Sequence, residues 1–226
     1  MAVAGIDGCR GGWVVVTAGP GPSPTLTADV VTDLDGVVAA ARAGQLAVVA
    51  IDIPIGLLDD RPRRCDVETR RLLGPRRASV FPAPLRPVLA ATDYDDACRL
   101  SRIASGKALS KQTYHLLDRI RAVDELLEPD DGERIIEAHP ECAFARLAGR
   151  PLESKHSEVG RDQRRRALSR ALGRPFPRLL AASPAPAGDL LDAAALVCTA
   201  RHLVAGTAIV VGGELDPTGK RAAVVY

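Results

Sequence analysis

Two apolar runs that each end in an aspartate constrain this chain more than anything else in it. The first occupies residues 2–6, runs into Asp7, turns through Gly8, Gly11 and Gly12, and resumes as a second apolar run from Trp13 to Val16. That pattern is a strand, a glycine-rich turn and an antiparallel partner strand. The other run, residues 46–51, is apolar almost throughout and leads into Asp52. A carboxylate that ends a buried strand is costly unless something pairs with it, and a metal ion is one such partner. An aspartate that caps its own turn is the plainer reading of Asp7 taken alone.

The segments between these runs decide how they can pair. Residues 25–31 read as a third strand, completing a meander. Thr32 or Asp33 then caps a helix whose Leu34, Val37, Val38 and Ala41 fall on one face, with Gly44 ending it. Continuous apolarity in 46–51 predicts a strand buried on both faces, and a helical crossover returns it parallel to a strand already in the sheet. With the first strand as that neighbour, Asp7 and Asp52 end adjacent strands at one edge.

Downstream, residues 57–132 read as a helical elaboration on the same domain, with helices near 65–73, 95–104 and 111–127 and a rigid Pro-rich loop at 79–84. A fifth strand at 134–138 carries Glu137 into His139, Pro140 and Glu141. A helix at 141–147, a polar loop bearing Lys155 and an Arg-rich helix at 159–172 follow. Residues 173–187, rich in Pro and Ala, are expected to be irregular. An Ala-rich helix at 189–203 and a hairpin pairing 208–211 with 222–225 close the chain. The expectation is an α/β fold, a mixed five-stranded sheet flanked by helices, as one domain over residues 1–226.

Charge and cysteine usage exclude some classes. A net charge of +2 argues against wholesale coating of nucleic acid, but the charge is uneven. Residues 61–77 and 161–178 hold seven Arg each, which suits either phosphate contacts or solvated helix faces. Five cysteines with no C-x-x-C pair argue against a disulfide framework or zinc knuckle and fit a reducing compartment. The first strand starts almost at Met1, leaving no room for a signal peptide, and no apolar run is long enough to span a membrane. A cytoplasmic protein without membrane contact is expected; a homodimer is compatible with the sequence.

Asp189 and Asp192 lie three apart on the last helix and face one side, ahead of a run of alanines that would let the helix approach a sheet closely. The helix dipole accounts for Asp189 in the first turn. Asp192, facing a tight alanine seam, needs a partner. The order of elements resembles the RNase H-like fold, with acids at the first strand (Asp7), the fourth strand (Asp52) and the final helix (Asp192, with Asp189 one turn earlier). The paired acids before the alanines resemble the final helix of Holliday-junction resolvases of the RuvC type.

More closely, the chain resembles a bacterial and archaeal family of predicted RNase H-like nucleases, domain-of-unknown-function family 429. The resemblance rests on residues 5–13 (Gly-Ile-Asp-Gly-Cys-Arg-Gly-Gly-Trp), 51–56 (Ile-Asp-Ile-Pro-Ile-Gly), Cys65, Asp66, Arg70, Gly74 and residues 76–84. It continues through Ser110, Lys111 and Gln112, residues 137–141, Ser154, Lys155 and residues 189–192. Position 138 is Ala where that family would have a bulkier residue.

The resemblance implies a metal-dependent nuclease hydrolysing phosphodiester bonds in DNA or RNA. Asp7, Asp52 and Asp192 would hold Mg²⁺ or Mn²⁺, and Asp189, Glu137, Glu141 and Lys155 would complete the catalytic set. Two ions roughly 4 Å apart could activate water and stabilise a leaving oxygen. His139 suits a buried hydrogen bond better than a ligand role. Two other classes compete. One is a catalytically silent RNase H-like binding scaffold. The other is an actin-like or sugar-kinase-type ATP phosphotransferase, which needs a second copy of the unit, roughly 100–150 residues more.

Overall fold

The computed structural model describes residues 1–226. In chain order the elements are β1 (Ala2–Cys9), β2 (Gly12–Ala18), β3 (Leu26–Val31), α1 (Asp35–Arg42), β4 (Leu46–Ile51) and α2 (Arg64–Leu73). Then come α3 (Tyr94–Ser105), α4 (Lys111–Leu126), β5 (Ile135–Glu137), α5 (Pro140–Ala148) and α6 (Glu158–Leu172). The last are α7 (Pro175–Ala182), α8 (Ala187–Val204), β6 (Val210–Leu215) and β7 (Arg221–Val225). No helix is long and apolar enough to cross a membrane.

The chain divides into two compact units: residues 1–52, 133–209 and 225–226 form the first, and 53–132 with 210–224 the second. The second takes in the whole of the helical segment expected at 57–132 and adds the late hairpin to it.

The first unit is a mixed five-stranded α/β sheet of order β3-β2-β1-β4-β5. Strands β1, β2 and β3 form the antiparallel meander, and β1 pairs with β4, and β4 with β5, in parallel. This is the arrangement expected of the RNase H-like fold. Apolarity on both faces of β1, β2 and β4 reflects burial on both sides, as in the interior of α/β sheets.

Helix α8 sets the core. Every residue from Leu190 to Ala200 is buried, which only a helix without a polar face can sustain. It lies on β1, β2 and β4 and also contacts α5 and α6. Gly5 makes that approach feasible: a Cβ there would stand 2.2 Å from the Ala193 carbonyl oxygen and 2.5 Å from the Val197 nitrogen. The alanine seam and the strand glycine are two halves of one close contact.

Three local expectations are corrected. Residues 173–187 are not all irregular, because α7 occupies 175–182 with Phe176 and Leu179 buried. Pro175 and Pro177 fall in its first turn, where no intrahelical N–H bond is required, so they start a helix instead of breaking one. The N-cap of α1 is Leu34, without a side-chain cap, while Asp33 accepts a bond from the Asp35 amide at 3.3 Å. The hairpin's first strand runs through Gly212 and Gly213 to Leu215, past the expected 208–211. Gly212, at φ +87°, sits where a Cβ would come within 2.7 Å of the Cys65 Cβ, so these glycines permit a strand pressed onto α2.

Within the second unit, buried charge replaces part of the core. Arg63 is enclosed with Asp66, at 2.5 Å, and also donates to the Ile55 carbonyl at 3.0 Å. Arg86 forks onto Asp124 at 2.8 and 3.0 Å and also contacts Asp216. Lys220 reaches Asp124 at 3.1 Å, joining the β6–β7 turn to α4. All five cysteines are free and buried: Cys9, Cys142 and Cys198 in the first unit, Cys65 and Cys98 in the second.

Candidate active site

Parallel pairing of β1 with β4 runs in register to Ile6 opposite Ile51, and the Asp52 amide donates to the Ile6 carbonyl at 3.0 Å. Asp7 and Asp52 therefore follow at the ends of neighbouring strands, on the same edge. One strand further, Ile51 pairs with Glu137. That register puts Glu137 on the face of Ile6 and Ile51, opposite the face on which Asp7, Asp52 and Gly5 meet α8, so the expected placement of Glu137 with the acids is corrected. Asp192 comes from α8, one residue before the Ala193 carbonyl that Gly5 admits so closely.

These acids are buried beyond what their charge tolerates. Asp7 is 8% exposed and Asp192 3%. Burial first, then the charges of Asp52, Asp192 and Asp189, raise the Asp7 carboxyl from the ordinary 3.8 to about 9, against the pull of Lys155. Burial also raises Asp52, to about 6; His139 opposes the rise and Asp192 adds to it. Asp192 is raised by burial, although Lys155 works against the shift. The Asp7 carboxylate accepts from the Gly8 amide at 2.9 Å, the turn-capping bond expected of it, but that bond does not offset the surrounding charge.

Lys155 supplies positive charge directly to the cluster. Its Nζ lies 2.8 Å from Asp192 Oδ2, with the lysine side chain 47% exposed and the aspartate side chain 4%. Burial disfavours the ammonium, but Asp192, Asp7 and Asp52 together outweigh it and raise the lysine pKa.

Glu141 is near enough to raise both Asp52 and Asp192, and its own charge is paired. Its carboxylate meets Arg164 at 2.5 Å, both side chains almost fully enclosed. Arg164 also donates to the carbonyls of Glu153 at 2.7 Å and Gly160 at 2.9 Å and lies over the Phe144 ring, 5.1 Å from its centroid. His139 is the N-cap of α5; its Nδ1 accepts from the Glu141 amide at 3.2 Å, which places a proton on Nε2 in the neutral ring. Asp189 is in the first turn of α8, partly exposed, close enough to act on Asp7. No group of three or more His, Cys, Asp or Glu side chains is closed into a ready metal cage.

The residue that sequence reasoning missed is Arg164. It was one arginine among seven, yet it falls with Gly160, Ala167, Leu168 and Leu172 on the buried stripe of α6. An arginine at an apolar position of a helical period is the signal that separates it from Arg161, Arg165, Arg166 and Arg170, which are exposed.

A family model described as "Protein of unknown function (DUF429)" matches residues 5–216. The chain belongs to that family. Every candidate residue of the site lies inside the matched range. Among solved structures, the Thermus thermophilus RuvC structure is similar at a TM-score of 0.37 and 15% identity, over 92% of this chain and 98% of that one. No curated protein matches the sequence.

The family's description carries no activity, so the chemistry rests on the site. Its donor set is hard carboxylate oxygen, the preference of Mg²⁺ and Mn²⁺. A stand-in cation, the Lys155 ammonium, already occupies one of the donors. The donor type thus suits a hard divalent cation, while the positive charge that the structure itself sets against Asp192 is the Lys155 ammonium.

Proposed function

We propose that this chain is a metal-dependent nuclease acting on phosphodiester bonds. What supports this reading is the placement of Asp7 and Asp52 at the ends of adjacent parallel strands with Asp192 of α8 near enough to act on both, in surroundings whose burial and negative charge raise Asp7 to about 9. Folding gains nothing from assembling such a cluster, so a bound cation is the natural reason for it.

Asp7, Asp52 and Asp192 would hold Mg²⁺ or Mn²⁺, with Asp189 adjoining. A divalent ion there supplies Lewis-acid charge and a more acidic bound water. The protein's own residues do the positioning. Gly5 and the alanine seam fix Asp192 against β1, and β4 carries Asp52 to the same edge. Arg164 neutralises Glu141 and locks the start of α5 to α6, so Glu141 acts by holding the scaffold beside the acids. The outer face of α6 presents Arg161, Arg165, Arg166 and Arg170, a suitable surface for phosphates of DNA or RNA.

The competing reading, a silent scaffold, draws on the Lys155–Asp192 pair, which satisfies one acid without any metal. The deciding experiment is a screen over single-stranded, duplex, hybrid and branched substrates with Mg²⁺ or Mn²⁺, for wild type and Asp7→Asn, together with melting curves. A nuclease loses orders of magnitude in rate in Asp7→Asn while its metal-free melting temperature holds or rises. No cleavage on any substrate and no metal-induced shift in melting would leave the scaffold.

A further inference from the structure

Lys155 stands in a segment whose backbone is pinned on all sides. Arg164 holds the Glu153 carbonyl at 2.7 Å, and Ser157 bonds the Ser154 carbonyl through both its amide, at 2.9 Å, and its hydroxyl, at 2.8 Å. Arg161 holds the His156 carbonyl at 2.8 Å. Gly160 lets α6 press against this turn so tightly that a Cβ would stand 2.0 Å from the Ser154 carbonyl oxygen. The base of the lysine is thus fixed. Its long side chain is about half exposed, while its ammonium is bonded to a carboxylate that is not.

A flexible cation on a rigid base, reaching from solvent into an acid cluster, can leave without any backbone movement. We propose that Lys155 is a place-holding cation: it neutralises the acid cluster while no metal is bound and turns out to solvent when a divalent ion takes Asp192. The inference rests on the metal-dependent reading and adds a regulation to it, since metal must displace a resident charge. Lys155 is then a positioning residue for the metal-free state.

Two measurements on the full chain test this, with Mn²⁺ or Mg²⁺ alone as probe. Titration of Mn²⁺ by electron paramagnetic resonance should show Lys155→Gln binding about tenfold or more tightly than wild type, with Lys155→Arg close to wild type. Lysine acylation read by mass spectrometry should rise at Lys155 on Mg²⁺ saturation, while exposed Lys107 stays constant. The labelling needs no variant, so it decides even if Lys155→Gln folds poorly. Equal or weaker Mn²⁺ binding in a folded Lys155→Gln, or unchanged labelling of Lys155 in a protein that binds Mn²⁺, overturns the place-holder and leaves the metal reading standing. Failure of both wild type and Lys155→Gln to bind Mn²⁺ overturns the two together.

Discussion

Asp7 links stability to pH in a direction opposite to most aspartates. Its folded pKa, about 9, lies above the unfolded value of 3.8, so the folded chain binds the extra proton between those limits. Its contribution is therefore most favourable below 3.8 and is lost as pH rises through about 9. In chelator, Asp7→Asn should flatten the fall of melting temperature with rising pH, and the gap between variant and wild type should widen toward pH 9. A gap that widens toward acid would mean that the carboxylate is stabilised in the fold. Glu141 and Arg164 behave differently because each compensates the other. Arg164→Met should cost about 3–5 kcal/mol in urea denaturation by leaving a buried carboxylate unpaired. The double change Arg164→Met with Glu141→Gln should recover part of it.

Elements place these residues, and most of them were legible. Runs of Val, Ile and Ala ending in Asp7 and Asp52 betrayed two buried strands, and an intervening helix suited a parallel return without forcing the two to be neighbours, which the β1–β4 pairing supplies. The acid edge followed from that step. What stayed hidden were contacts in which a residue's role depends on a distant surface. Pro175 and Pro177 look like breakers until their place in a first turn is known. Gly212 looks like a loop until it is found against Cys65. Arg164 looks like surface until α6 is packed. Gly5 shows how such a contact serves the site: Gly5→Ala should destabilise by at least about 1–3 kcal/mol, as overpacking does. It should also weaken Mn²⁺ binding, because relief requires α8, and Asp192 with it, to move off β1. On the solvent face of α6, Arg165→Ala with Arg166→Ala should reduce the salt slope of nucleic-acid binding by roughly 2. An unchanged slope would make these arginines ordinary solvated surface.

At the scale of the whole molecule, the chain leaves the first unit directly after Asp52 and re-enters it at Glu133. The first unit is apolar at its centre, whereas the second relies in part on Arg63 with Asp66 and on Arg86 with Asp124 and Asp216. Arg86→Ala should loosen the second unit selectively, and the buried cysteines give a means of seeing it. Burial pushes the Cys142 and Cys198 thiols up to about 12, so neither is reactive while its surroundings are intact. Native-state alkylation then becomes a pair of stopwatches built into one polypeptide. Cys65 and Cys98 time the opening of the second unit, and Cys9, Cys142 and Cys198 that of the first. If Arg86→Ala quickens the first pair and leaves the other three unchanged, the units breathe independently, and the half that carries the acids keeps its own schedule.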